Sequence, residues 1–481
     1  MHRQELPPII LLLLDSAGAN RFSLYGHYRP TTPNLERMAA ETAVYRHCFA
    51  NAPWTIPSHV SLLTGLYPHE HGSNITFDGM PQSLVSLPEI LQEQGYHTIG
   101  ISNNMIISHR TGFDRGFDKF YETNSLFQDE DFLLARSRYL LQKRQFNLTG
   151  EWNKLKFISK YAWENKYFYY PIKKVLNRLY FKYLGSIKNS TSFISKRTMW
   201  IFNKSIKRIK DIKAPFFFFI NLMETHKPYS APYPYNRMFQ KVDPRQRERL
   251  SHKKIDDVVF EEDPDLRRER AEFWGLCQDQ EVAYIDGLIG RLREFLVQQQ
   301  LWARVMLIIT SDHGEALGEH GLFGHNFSVY NELMHIPLII KYPKDYRITG
   351  DFHQLAQLHD LFATLCQVAD SPRPVPFSSK SLLDDPRDFA LTALLNNSQG
   401  LSFLERRFKE FKIYPCMLPG NGLISADLWK LIRWEDGTRE LYDLNRDFYE
   451  SSNLIQEPEH ASRAASLNAK LDELLVSLEA W

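Results

Sequence analysis

Arg304-Val305-Met306-Leu307-Ile308-Ile309-Thr310-Ser311-Asp312-His313-Gly314-Glu315 is one apolar run that stops at a polar cluster. A short run that is apolar on both faces predicts a strand buried within a parallel sheet. In such sheets ligands bind beyond the carboxyl ends of the strands. Asp312 and His313 stand at that end. Gly314 permits a turn that lets both side chains face one ion. The pattern recurs twice. Ile9 to Leu14 is wholly apolar and ends at Asp15, a residue that also suits the cap of a turn. Ala214 to Leu222 is another buried strand, followed by Glu224-Thr225-His226-Lys227-Pro228-Tyr229. Amphipathic stretches predict helices over 36–42, 84–94, 281–296, 358–369 and 461–481. The fold class that follows is α/β, with acids and imidazoles gathered at one edge of the sheet.

Pro53-Trp54-Thr55-Ile56-Pro57-Ser58-His59-Val60-Ser61-Leu62-Leu63-Thr64-Gly65 adds a hydroxyl to that edge. Thr55 reads as an N-cap, Pro57 fits a first helical turn and Gly65 fits a helix stop. A hydroxyl at a helix N-terminus sits among free N–H groups that also bind phosphate or sulfate.

These segments resemble the sulfatase family of the alkaline phosphatase superfamily. The family carries Cys or Ser, any residue, Pro, Ser or Ala, Arg, then a run ending Leu-Thr-Gly. Here Thr55 takes the nucleophile position and His59 the Arg position. Further matches are Leu24-Tyr25-Gly26, Thr32-Pro33-Asn34-Leu35, Tyr67-Pro68-His69-Glu70-His71-Gly72, the segment Gly112 to Asp118, and Tyr284, Asp286 and Gly290. Late in the chain come Glu440-Leu441-Tyr442-Asp443-Leu444, then Asp447, Glu450, Asn453 and Leu454. The resemblance implies a mostly parallel sheet sandwiched by helices, with a small C-terminal α+β subdomain. It implies a catalytic domain over 1–380, with a hairpin and a closing helix over 381–481.

The resemblance also implies a site. Asp15, Thr55, Asp312 and His313 would hold one divalent metal, with Mn or Zn favoured over Ca because His313 replaces the family's Asn. One metal is expected because the Asp-x-x-x-His of two-metal phosphatases is absent near His226. Thr55 would attack and form a covalent ester, resolved by water or an acceptor alcohol. His226 and His325 would contact the transferring group or the leaving oxygen, and Asn104 and His59 would bind substrate. His69, His71 and His335 are expected to be structural. Sulfatases oxidise Cys or Ser to formylglycine, whereas a Thr side chain would give a ketone. Loss of the Arg points the same way. A phosphoester or phosphodiester is therefore expected ahead of a sulfate ester. The alternatives are a sulfuric ester hydrolase proper and a non-catalytic protein of this fold that binds an anionic surface.

Composition sets bounds. The 481 residues are 43% hydrophobic and 24% charged, with net charge +1, which excludes a disordered chain or a uniform polyanion binder. Cys48, Cys277, Cys366 and Cys416 are far apart, against a disulfide framework or a structural zinc site. No signal peptide or membrane span is legible, so a cytoplasmic protein is expected, peripheral contact with a membrane being left open. Residues 133–213 carry twenty Lys and Arg against Glu151, Glu164 and Asp211, with aromatics interleaved. This helical insertion suits an anionic membrane surface or an acidic polymer, and equally a solvated insertion whose aromatics pack inward. It contains no recognisable nucleic-acid module. Residues 245–270 read as a charged surface excursion.

Overall fold

The computed structural model describes residues 6–73, 79–122, 215–240, 250, 261, 263–372, 378–384, 386–396 and 413–479. The basic insertion expected over 133–213 lies outside them.

Strands β1 (Ile9–Leu14), β2 (Ala43–Phe49), β3 (His97–Ser102), β4 (Lys119–Glu122), β5 (Phe216–Leu222) and β6 (Met306–Ser311) belong to one large sheet. A two-stranded ribbon follows, β7 (Ala316–Leu317) with β8 (Phe323–Gly324). Strands β9 (Leu338–Lys341) and β10 (Gly350–Gln357) complete the large sheet, whose order is β10-β2-β9-β6-β1-β5-β3-β4. All of its neighbours pair in parallel except at β9, which runs against β2 and β6.

The helices packed with it are α1 (Pro33–Met38), α2 (Thr55–Thr64), α3 (Pro68–His71), α4 (Leu87–Glu93), α5 (Pro264–Gln298), α6 (Asn331–Met334) and α7 (Asp360–Val368). Both faces of the sheet are covered, which is why its central strands show no polar alternation. Ile9, Leu11, Leu13, Phe217, Phe219 and Ile308 pack with Val60 of α2, Leu87 of α4 and Phe362 of α7. Ile10, Leu12, Leu14, Phe218 and Ile309 pack with Val282, Ile285 and Leu292 of α5 on the other face.

Two boundaries differ from expectation. Helix α5 starts well before residue 281, because Asp263 caps it at Pro264 by accepting from Asp265 and Leu266 N–H at 2.9 and 3.2 Å. Arg270 is therefore not a surface residue: it is buried on this helix and paired with Glu261. Helix α1 starts earlier, at Pro33, because Asp286 of α5 accepts from Asn34 and Leu35 N–H at 2.9 and 3.0 Å. A side chain far along the sequence does the capping.

Strands β11 (Phe389–Leu394), β12 (Gly420–Ser425), β13 (Trp429–Trp434) and β14 (Arg439–Asp443) form a second, antiparallel sheet. The β13–β14 turn uses Gly437 at φ 86°, a left-handed conformation that favours glycine. Helix α8 (Ala461–Glu479) packs Leu467 and Leu471 on one face against Leu423, Leu431 and Leu441. From the other face Ile424, Ile432 and Trp434 join the core of the large sheet. A buried ion pair also ties the sheets together. Lys430 Nζ lies 2.6 Å from Glu450 Oε1 and donates to Val329 O at 2.7 Å and Asn331 Oδ1 at 2.9 Å. All four cysteines are free. No described helix is long and apolar enough to cross a membrane.

Candidate metal centre and active site

The register of the sheet builds the centre. Leu14 of β1 pairs with Ser311 of β6, so Asp15 and Asp312 leave the carboxyl ends of adjacent strands side by side. Both are fully buried. Ser16 bridges them: its N–H donates to Asp312 Oδ1 at 3.1 Å and its hydroxyl to Asp15 Oδ1 at 3.1 Å. This arrangement holds Ser16 at φ 61°, an uncommon conformation for a residue with a side chain. Asn104 Nδ2 donates to Asp15 Oδ2 at 2.6 Å. Asp312 Oδ1 also accepts from His313 N–H at 2.9 Å, while Oδ2 has no hydrogen-bond partner among the described residues.

His313 Nδ1–H donates to Gly314 O at 2.8 Å, which leaves the Nε2 lone pair free for a metal ion. Nε2 lies 3.4 Å from Asp312 Oδ2 and 3.3 Å from Thr55 Oγ1. Ligand atoms of Asp15, Asp312 and His313 all lie within 4.8 Å of one another. Thr55 is at the edge of this group. It is the first residue of α2, not its N-cap: Trp54, extended at φ −148° and ψ 146°, holds the cap position. Trp54 makes no side-chain capping hydrogen bond, the Thr55 hydroxyl faces His313, and among the described residues no side chain caps the first-turn N–H groups. Gly65 ends the helix at φ 73°, as its sequence predicts.

The donor set fits a divalent cation. Two adjacent buried carboxylates, one with an orphaned oxygen, and an imidazole fixed with Nε2 inward are poorly compensated without one. Burial, and for Asp15 the neighbouring charge of Asp312, push Asp15 up to about 6; burial pushes Asp312 up to about 7. Burial also holds the His313 imidazole below its usual value. Protons therefore compete with the ion. The two carboxyls bind protons more tightly folded than unfolded, so without metal their contribution to stability falls as pH rises from about 4 to about 7. The expected result is a metal-induced rise in melting temperature that is large at pH 8 and small at pH 5. Melting curves with and without Mn or Zn at the two pH values measure it.

Beside His313 stand His325 and, next to it, His226, the latter two with ring centroids 5.1 Å apart. The His325 ring centroid is 4.6 Å from that of His313. Its other neighbour is Trp54, stacked at 5.6 Å and 25°. His325 Nδ1 is 3.1 Å from Glu315 Oε2, and Lys227 Nζ is 2.9 Å from Glu315 Oε1. Burial outweighs the Glu315 charge and brings His325 down to about 3, so the ring is neutral. Burial alone would raise Glu315, but Lys227 and His325 hold it well below the usual carboxylate range.

Two expected substrate contacts are placed differently. The Asn104 amide is spent on Asp15, and its Oδ1 accepts from Ile106 N–H at 3.0 Å. His59 is fully buried beneath α2: Nδ1–H donates to Thr55 O at 2.8 Å, and Nε2 accepts from Asn221 Nδ2 at 3.3 Å. One helical turn separates Thr55 from His59, so the imidazole points back along the helix to the Thr55 carbonyl, with Nδ1 3.6 Å from Asp312 Oδ2. Burial lowers it to about 3, so it carries no charge for an anion. His71 bonds Ser61 Oγ and His335 donates to Arg46 O, both away from the centre. Sequence reasoning passed over Ser16, Trp54, Lys227 and Glu315. Glu315 stood within the Asp-His-Gly-Glu string, but its partners lie on other segments.

The family model described as Sulfatase matches residues 7–371, and that of the N-sulphoglucosamine sulphohydrolase C-terminal region matches 318–477. The N-acetylglucosamine-6-O-sulfatase of Bacteroides thetaiotaomicron is 24% identical, over 97% of this chain and 86% of its own. The arylsulfatase of Clostridium perfringens is 23% identical, over 95% and 92%. A solved phosphonate monoester hydrolase of Agrobacterium radiobacter superposes with TM-score 0.67 at 19% identity, covering 98% and 95%. A protein solved with its substrate D-glucosamine-2-N,6-O-disulfate superposes with TM-score 0.66 at 18% identity, covering 99% of both chains. These relatives weigh toward sulfate esters and do not favour the phosphodiester expected from Thr55 and His59. With the sheet, the aspartate pair and these matches together, the chain belongs to the sulfatase family of metal-dependent ester hydrolases.

Proposed function

We propose that this protein hydrolyses an anionic ester, a sulfate ester first, with Thr55 as nucleophile. The observation that carries the reading is Thr55 Oγ1 at 3.3 Å from His313 Nε2, beside the Asp15/Asp312/His313 group. A divalent ion held by Asp15, Asp312, His313 and Thr55 would act as a Lewis acid, and the nitrogen donor favours Mn or Zn over Ca. Thr55 Oγ1 forms a bond to sulfur as the bond from sulfur to the alcohol oxygen breaks. The uncapped N–H groups of α2 and the His226 ring face the developing negative charge. His325 Nε2 takes the Thr55 hydroxyl proton and passes it to the departing alcohol oxygen; water then attacks sulfur, one of its protons returns to the Thr55 oxygen, and hydrogensulfate leaves.

A second reading, a phosphodiester or phosphonate monoester, is favoured by one residue: the secondary hydroxyl of Thr55 cannot become an aldehyde. The test is turnover of p-nitrophenyl sulfate, phosphate, a phosphodiester and a phosphonate monoester with Mn, Zn or Ca. Sulfate turnover ahead of the others supports the first reading. Turnover confined to the phosphorus esters transfers the assignment to the second. No turnover of any ester, with metal bound, sinks both.

A further inference from the structure

The reaction above makes no use of Glu315. Its side chain is fully buried in the turn that follows the metal-binding pair, where a carboxylate is costly unless it is paired and hydrogen-bonded. Two groups meet it. His325 comes from the end of the β7–β8 ribbon and Lys227 from the segment after β5. From this geometry we infer that Glu315 is a positioning residue that fixes the His325 imidazole with Nδ1 protonated, so that Nε2 is the nitrogen presented to the ester. The inference rests on the reading of His325 as a group that faces the ester.

A neutral imidazole has one N–H and two places to carry it, and an ionised carboxylate only accepts. Contact with Glu315 therefore assigns the proton to Nδ1. The hydrogen bond of this ring to a described residue is made by Nδ1, not Nε2. The ring is fixed in orientation as well. Trp54 stacks along one side, while the His313 and His226 rings lie 4.6 and 5.1 Å away by centroid. Lys227 supplies the positive charge that balances the buried carboxylate, and its side chain is 10% exposed. Gly324 supports the arrangement: a Cβ there would stand 3.3 Å from Lys227 Nζ, and its φ of 101° suits glycine.

Two substitutions and one spectrum test the assignment. Glu315→Leu removes the acceptor, and kcat is expected to fall about 10–100-fold with KM within about threefold, the size found when an orienting partner is lost. Glu315→Gln keeps an acceptor oxygen of the same reach and is expected to restore most of kcat. Nitrogen-15 spectra of the wild-type protein, with His325 assigned by its loss in His325→Gln, are expected to show Nδ1–H and a bare Nε2. In Glu315→Leu the ring is expected to populate both tautomers. Wild-type kcat in a folded Glu315→Leu protein overturns the inference. So does an Nε2–H tautomer in the wild-type spectrum, a readout that needs no Glu315 variant to fold. Failure of Glu315→Gln to recover overturns it too. If His325→Ala retains full kcat, the reading of His325 falls instead, and the spectrum still decides what Glu315 does to the ring.

Discussion

Thr55→Ala is expected to reduce kcat by roughly 10³-fold or more while the protein stays folded and still takes up metal through Asp15, Asp312 and His313. Thr55 is the residue of α2 whose oxygen approaches His313, and it does not cap its helix. Losing the hydroxyl therefore removes the proposed nucleophile without removing a structural hydrogen bond that the helix needs. Nor is the side chain a packing element of a size that would leave a large cavity. Thr55→Ser keeps the oxygen and is expected to stay within about tenfold of wild type, because it loses only a methyl group. Turnover, metal content and melting temperature measured side by side decide the matter. An active Thr55→Ala protein would remove Thr55 from the chemistry and move attack to another oxygen. Loss of metal in that variant would instead make Thr55 an essential ligand.

Lys430→Met is expected to lower stability by about 3–5 kcal/mol, the range for leaving one member of a buried ion pair unpaired. Neither side chain of the Lys430–Glu450 pair reaches solvent. Burial already raises the Glu450 carboxyl above its usual value, with Lys430 opposing. Without the ammonium, Glu450, Val329 O and Asn331 Oδ1 all lose a partner. Adding Glu450→Gln removes the stranded charge but keeps an acceptor for the Asn331 N–H, and most of the loss is expected to be recovered. Midpoints of urea unfolding report both changes. The effect is also expected to reach the turn at Asp312 and His313. Asn331 begins α6, whose Leu333 O accepts from Gly314 N–H at 2.7 Å, directly after His313. A lysine of the second sheet thus steadies the turn that carries Asp312 and His313.

The parts that sequence reading made legible share one property: local pattern and the final environment agree. Ile9–Leu14 is apolar throughout because both faces of β1 are covered, and its end at Asp15 is a change of chemistry that any reader can see. Asp312 and His313 follow the same logic at β6. The parts that were missed depend on what arrives from elsewhere. Helix α1 is capped by Asp286, from a helix far along the chain. His59 occupies the motif's Arg position, yet its direction is decided by helix geometry and by Asn221. Asn104 is turned to Asp15 by the nearness of β1 and the segment after β3. Glu315 acquires meaning only when Lys227 and His325 meet it. Spacing reveals which residues a segment offers; it does not reveal where those side chains point after packing.

The pairing of β1 with β6 has a consequence for synthesis. Asp15 leaves the ribosome well before Asp312 and His313, which emerge only after the long α5 helix has been translated. Through that interval Asp15 has neither its neighbouring carboxylate nor an imidazole, so the nascent chain has no centre at which to capture the ion. Strand β5 can flank β1 on one side, but the other side stays open until β6 is made. Any ion held by Asp15, Asp312 and His313 can therefore be captured only after the sheet's central pairing, and would reward chains that have completed it. A chain truncated before residue 312 would forfeit that stabilisation entirely and remain the easier target for proteolysis.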